Sequence, residues 1–196
     1  MTLAPAMITK CDALPAAVIY AGVRDLVSAE LVRVLNVCSG NGRNAARCTN
    51  LGYDATAVNP VAVFVTQMMW WVPSATILRD SLSNLRCVRG CYGLALVNAF
   101  CRYVAPKDWS AVMDRLTDLM EQGSRIILLL CHSNGHPNRP VVDTDTGDIC
   151  EQAACGLNLL QRQTRQPMQT ASRANSVKWM WLVFGKGGNN APDARP

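Results

Sequence analysis

Residues 34–60 read VLNVCSGNGRNAARCTNLGYDATAVNP, and the fold turns on how this stretch is read. Its opening, together with the residues just before it (LVRVLNV, 31–37), is short, apolar and β-branched apart from Asn36, as a central parallel strand is. Residues 38–42 then supply a glycine-bearing turn and 43–51 a helix, with Gly52 as its stop. Residues 53–58, YDATAV, form a second strand closed by Asn59-Pro60. A strand, turn, helix and strand in this order set the helix's first N–H groups beside the carboxyl ends of two parallel strands. That is where open α/β sheets bind nucleotide-like ligands.

Working outward, the pattern repeats. Residues 14–27 carry apolar side chains at helical spacing and precede the first strand. Pro60 suits a first helical position, and a helix follows through 61–71, VAVFVTQMMWW. Residues 75–78 and 92–97 read as the third and fourth strands. Between 108 and 122 the apolar positions Trp109, Val112, Met113, Leu116, Leu119 and Met120 describe an amphipathic helix, with Asp108 as N-cap and Gly123 as stop. The most apolar strand, 125–131, follows, then a polar segment (132–147) that reads as a surface loop, a short helix (148–155) and two strands at 157–164 and 177–184. Alternating strands and helices, then two strands with no full crossover helix, imply a Rossmann-like three-layer α/β sandwich. Its seven-stranded sheet is mostly parallel, with an antiparallel C-terminal hairpin. Residues 1–186 make one domain on this reading, and 187–196 a flexible tail.

Composition narrows the setting. The chain of 196 residues has room for one full core, and it is 49% hydrophobic and 17% charged, without an apolar run long enough to span a bilayer. The expectation is a soluble protein with no membrane partner. The first 22 residues are interrupted by Lys10, Asp12 and two prolines, unlike a secretory leader. Nine cysteines, an odd number without regular spacing, do not form a disulfide framework, and Cys38, Cys91 and Cys131 fall in or beside apolar runs as small buried hydrophobes do. A reducing, cytoplasmic compartment follows as the expectation. The net charge of +5 permits an acidic substrate or a nucleic acid without requiring either.

The run Leu35-Asn36-Val37-Cys38-Ser39-Gly40-Asn41-Gly42-Arg43-Asn44, followed by Gly52-Tyr53-Asp54-Ala55, resembles class I S-adenosylmethionine-dependent methyltransferases. It is most similar to the small tellurite-resistance type, whose motif reads approximately LDLGCGNGRN and then GYDV. The resemblance covers element order over residues 8–186 and residue detail over 34–60. It implies S-adenosylmethionine as cofactor and a methyl acceptor that is a small molecule or a nucleic acid. By this resemblance Gly40 and Gly42, with Cys38, Ser39 and Asn41, line the methionine end. Asn59, with Pro60, stands where an acid grips the ribose; Asp80 and Ser81 meet the adenine; Asn98 and Phe100 line the transfer cleft. Three positions depart from the family: Asn36 and Asn59 are amides where it has acids, and Cys38 replaces its first glycine. An amide offers a donor on one side, which weakens a two-hydroxyl grip. These departures motivate a second hypothesis, a methyltransferase-fold binding or regulatory protein without turnover.

Other readings of the same residues are weaker. Gly40-x-Gly42-x-x-Ala45 meets the NAD(P) fingerprint, but the acid expected about twenty residues on is Asn59. Cys131, His132, His136, Asp143 and Asp145 lack metal-site spacing, so no metal is expected. Trp70, Trp71, Trp179 and Trp181 read as packing residues rather than base-stacking platforms. Arg162, Arg165, Arg173 and Lys178 read first as a solvated strand edge, and second as a substrate-side cluster. Transfer from a sulfonium depends on positioning more than on acid–base groups, consistent with no catalytic dyad standing out.

Overall fold

The computed structural model describes residues 32–98, 104–133, 156–165 and 177–187. The sequence-predicted helices at 14–27 and 148–155, most of the loop after 133, Phe100, His136, Asp143, Asp145, Arg173 and the tail from 188 lie outside these residues.

Chain order is β1 (Arg33–Val37), α1 (Arg43–Asn50), β2 (Asp54–Val58), α2 (Ala62–Trp71), β3 (Thr76–Leu78), β4 (Tyr92–Asn98), a 3-10 turn (Pro106–Asp108), α3 (Trp109–Asp118), β5 (Met120–Ser133), β6 (Leu157–Arg165) and β7 (Val177–Lys186). One seven-stranded sheet has the order β3-β2-β1-β4-β5-β7-β6. The first five strands in sequence pair in parallel, whereas β7 runs antiparallel to both β5 and β6. The expected sheet and its antiparallel C-terminal hairpin are therefore present.

Strand residues of alternate parity feed two cores. Leu35, Val37, Val58, Ala95, Val97, Ile126, Leu128 and Leu182 pack with Trp109, Val112, Met113 and Leu116 of α3. On the opposite face Val34, Ala55, Leu94, Leu96, Ile127 and Trp181 pack with Cys48 of α1, and Ala57 packs with Ala45, Met68 and Val72. Burial on both faces is why these strands are apolar runs rather than alternating ones.

Six local expectations need correction. The helix 108–122 ends at Asp118, because Leu119 and Met120 join the sheet: the Leu119 carbonyl accepts from Tyr92 N–H at 2.9 Å and Met120 pairs with Tyr92. Gly123, expected as a helix stop, sits inside β5 at φ 77°, next to the register shift between Tyr92 and Leu94. β5 also runs on to Ser133, so His132 belongs to a strand and not to the following loop. Pro60 precedes the helix it was expected to open, since α2 starts at Ala62 behind Val61. Finally, Cys91 is exposed rather than buried, and Trp70 and Trp71 are exposed rather than packed.

Candidate ligand site at the carboxyl ends of β1, β2 and β4

The site grows out of the turn between β1 and α1. Ser39 N–H donates to the Val58 carbonyl at 3.1 Å, and Gly42 N–H donates to the Ser39 carbonyl at 2.9 Å, so the turn is pinned to β2 and folded on itself. Cys38, Gly40 and Gly42 all have positive φ, at 54°, 56° and 85°. Cys38 thus keeps the left-handed backbone that a glycine would take more readily, and the turn survives the replacement at the cost of some strain. Burial pushes the Cys38 thiol up to about 12. It is a neutral packing group at ordinary pH, without the thiolate that reactivity requires.

The two glycines differ in what surrounds them. A Cβ at Gly42 would lie 2.7 Å from Met68 Cγ, so this residue is small because α2 presses against it. A Cβ at Gly40 would meet nothing within 4 Å. Gly40 therefore borders open space, next to the start of α1, whose first turn carries no side-chain cap. Backbone donors facing an opening at a helix N-terminus favour an anionic group such as a carboxylate.

Beneath the turn, three amides form a chain. Asn44 Nδ2 donates to Asn98 Oδ1 at 3.4 Å, and Asn98 Nδ2 donates to Asn36 Oδ1 at 3.3 Å. Asn36 is wholly buried, and its Nδ2 has no partner among the described residues. Leaving such a donor unpaired costs on the order of 1–3 kcal/mol, which an acceptor brought by a ligand or an ordered water would recover.

The remaining handles are engaged within the protein. Asn59 Oδ1 accepts from Val61 N–H at 2.9 Å and so closes a turn over Pro60 ahead of α2, leaving its NH2 as the unengaged end. Both Asp80 oxygens accept backbone N–H groups, Oδ1 from Ser81 at 2.7 Å and Oδ2 from Cys87 at 2.6 Å. Asp80 thereby folds the loop after β3, with one lone pair on each oxygen left over.

The fold brings Asn36, Cys38, Ser39, Gly40, Asn41, Gly42 and Asn98 together at the carboxyl ends of β1 and β4. Asn59, Pro60, Asp80 and Ser81 follow the carboxyl ends of the neighbouring strands β2 and β3. Two contributors were not singled out from sequence. Asn44 lay in the quoted motif without an assigned role; Met68, whose sulfur lies 3.4 Å from Ser39 Oγ, carries no local signal. Arg162 is exposed on the edge strand β6, away from the turn. Among the described residues, no cluster of three His, Cys, Asp or Glu side chains is placed to hold a metal, and no helix is long and apolar enough to cross a membrane.

No protein-family model and no curated protein matches the chain. Solved structures do. A TehB-like SAM-dependent methyltransferase from Corynebacterium glutamicum is similar at 16% identity and a TM-score of 0.63, over 84% of this chain and 85% of that one. The 1,6-didemethyltoxoflavin-N1-methyltransferase of Burkholderia thailandensis, solved with its substrate and S-adenosylhomocysteine, gives 17% identity and 0.67 over 88% and 76%. The N-methyltransferase NodS of Bradyrhizobium japonicum, in complex with S-adenosylhomocysteine, gives 9% and 0.66 over 88% and 85%. The chain has the fold these class I methyltransferases share.

Proposed function

We propose that the protein binds S-adenosylmethionine over the β1–α1 turn and transfers its methyl group to a small-molecule nucleophile. The observation that carries this reading is the open space at Gly40, at φ 56°, in a sheet of methyltransferase order. A cradle that a single Cβ would intrude upon, lined by backbone donors, fits the amino-acid end of that cofactor.

On this reading the turn receives the methionine carboxylate at Gly40 and Asn41, since the Ser39 and Gly42 N–H groups are bonded within the protein, and Asn36 Nδ2, unpaired among the described residues, supplies a buried donor below them. Asn59 and Asp80 hold the nucleoside end with what their internal bonds leave: one amide NH2, and the spare lone pairs of the carboxylate. Asn98, fixed from both sides by Asn44 and Asn36, presents a rigid carboxamide beside the cleft. When bound, the cofactor would supply a sulfonium whose methyl carbon is open to in-line attack by the acceptor, with S-adenosylhomocysteine as the leaving group. The protein's share is alignment, which alone is worth up to about 7–11 kcal/mol of barrier. A cytoplasmic location fits this reading.

Calorimetry with S-adenosylmethionine and S-adenosylhomocysteine tests it. Both should bind with Kd below about 1 mM, equivalent to roughly −4 kcal/mol or better. Heats indistinguishable from dilution for both ligands would remove the reading.

One observation favours a second reading, that of a binding protein without turnover. The Asn59 oxygen that would accept from a ribose hydroxyl already accepts from Val61 N–H. Binding of both ligands, with no methyl consumed across panels of small-molecule and nucleic-acid acceptors, supports this alternative. Methylation of an oligonucleotide alone would move the acceptor class to nucleic acid.

A further inference from the structure

Helix α2, AVFVTQMMWW, has no charged residue and only Thr66 and Gln67 as polar ones, and a helix this apolar is normally buried in a core or an interface. Here only Met68 is buried. Trp70 is 83% exposed, Val63 63%, Met69 62% and Trp71 49%, with Val61 at 47% and Phe64 at 37% beside them. Single exposed hydrophobics need no explanation, but a cluster does: at about 3.6 residues per turn Val63 and Trp70 share the side of α2 opposite Met68, with Phe64 and Trp71 next to them.

We infer that this face of α2 is the interface of a homodimer, in which it packs against α2 of a second copy about a two-fold axis. Three observations favour a second copy over other occupants. Trp70 and Val63, with Trp71 and Phe64 flanking them, expose an area on the order of 500 Å², the larger part of the ~800 Å² per partner of a standard interface. The composition is that of an interface centre, with Trp, Met and Phe present and charge absent. The absence of charge also suits self-association, since a two-fold interface sets each residue near its own copy and any charge would meet its like. For a chain of net charge +5, a neutral face is where two copies approach with least repulsion. A helix that lies on a membrane carries a strongly charged polar face opposite its apolar one; α2 has no charged residue at all.

The interface also borders the ligand site. Met68, on the inner side of the same helix, touches the β1–α1 turn through Ser39 and lies against Gly42, and the Asn59 turn bond leads into α2. The inference itself stands on the exposed face alone and holds whether or not the site binds S-adenosylmethionine.

Sedimentation equilibrium of the full chain, from about 1 to 200 µM, reads the association directly. The wild type should approach twice its 21.3 kDa mass at the upper concentrations. Trp70→Glu and, separately, Val63→Glu should each weaken dimerisation by at least about 100-fold, a change of roughly 2.7 kcal/mol, with unchanged far-ultraviolet circular dichroism. Mixing Trp70→Glu with Trp70→Lys should restore a dimer that neither forms alone. A wild type that stays monomeric at the highest concentration overturns the proposal. So does a dimer that both glutamate variants leave intact. Monomers that co-sediment with vesicles of equal phosphatidylcholine and phosphatidylglycerol would assign the face to lipid instead.

Discussion

Helices α1 and α2 follow adjacent strands and lie on the same side of the sheet, yet they use their residues in opposite ways. α1, RNAARCTN, is polar in composition and buries Asn44, Ala45 and Cys48 on a sharply defined face. α2 is apolar in composition and buries Met68 alone. Which side chains a fold consumes depends on where the apolar positions fall around the helix, and not on how many there are. The helix that looks soluble is the one locked into the site; the helix that looks like core is mostly left over. Substitutions can test this division.

The largest effect is expected at the turn that feeds α1. Gly40→Val places a branched side chain at φ 56° in the open cradle, and should abolish binding of S-adenosylmethionine and S-adenosylhomocysteine, a loss of at least about 100-fold. The domain should still fold, at a cost of about 1–3 kcal/mol for the strained backbone, because a Cβ there meets no protein atom within 4 Å. Titration calorimetry with a parallel thermal melt separates the two outcomes. Unchanged affinity would place the ligand elsewhere.

Next comes Met68, the one residue of α2 that behaves as α1's residues do. Met68→Ala should cost about 2–5 kcal/mol in urea unfolding, since a fully buried side chain is removed and a cavity left beside Gly42. Its neighbour Trp70→Ser should change the stability of the monomer by no more than about 0.5 kcal/mol. Equal losses at both positions would break the contrast between the inner and outer sides of the helix.

These residues also mark how far the sequence could be read. The turn was legible because its geometry is local: GNGRN between two apolar runs specifies strand, turn and helix without help from distant residues. The sheet followed from element order. What stayed hidden was settled by contacts between distant segments. The periodicity of 109–120 continues through Leu119 and Met120, but Tyr92 draws both into the sheet and the helix ends at Asp118. Likewise an apolar helix reads the same whether its partner is the core or another surface, so the exposure of Trp70 and Trp71 had no sequence signal. The turn bond from Val61 to Asn59 was equally invisible: an Asn before Pro was read by its place at a strand end, and its oxygen turned out to accept from the backbone two residues on.

That turn bond gives a smaller prediction. Asn59→Ala leaves Val61 N–H without its acceptor and should destabilise the protein by about 1 kcal/mol. Asn59→Asp keeps the acceptor and adds a second oxygen, so it should hold stability and tighten S-adenosylmethionine binding if the nucleoside end lies here. Measuring both variants in urea and by calorimetry distinguishes a turn bond from a ligand handle. A tightening by Asp with no loss in Ala would reverse the assignment of that oxygen.

The smallest effect concerns the face α1 buries. Burial pushes the Cys48 thiol up to about 11, with the neighbouring Arg47 charge pulling it partly down. In the unfolded chain the thiol ionises near ~8.5, so above that pH the unfolded state binds fewer protons than the folded one. The stabilising difference is complete below pH ~8 and erodes as pH rises toward about 11, which makes alkali destabilising. Cys38, pushed up to about 12, adds a second such group with the same sign. Cys48→Ala should therefore flatten the fall in urea midpoint between pH ~8 and ~10.5 relative to wild type, while both proteins run parallel below pH ~8. α2 contains no ionisable side chain, so Trp70→Ser should retain the full wild-type slope. A Cys48→Ala slope as steep as wild type would mean that the alkaline loss comes from groups outside the buried face of α1.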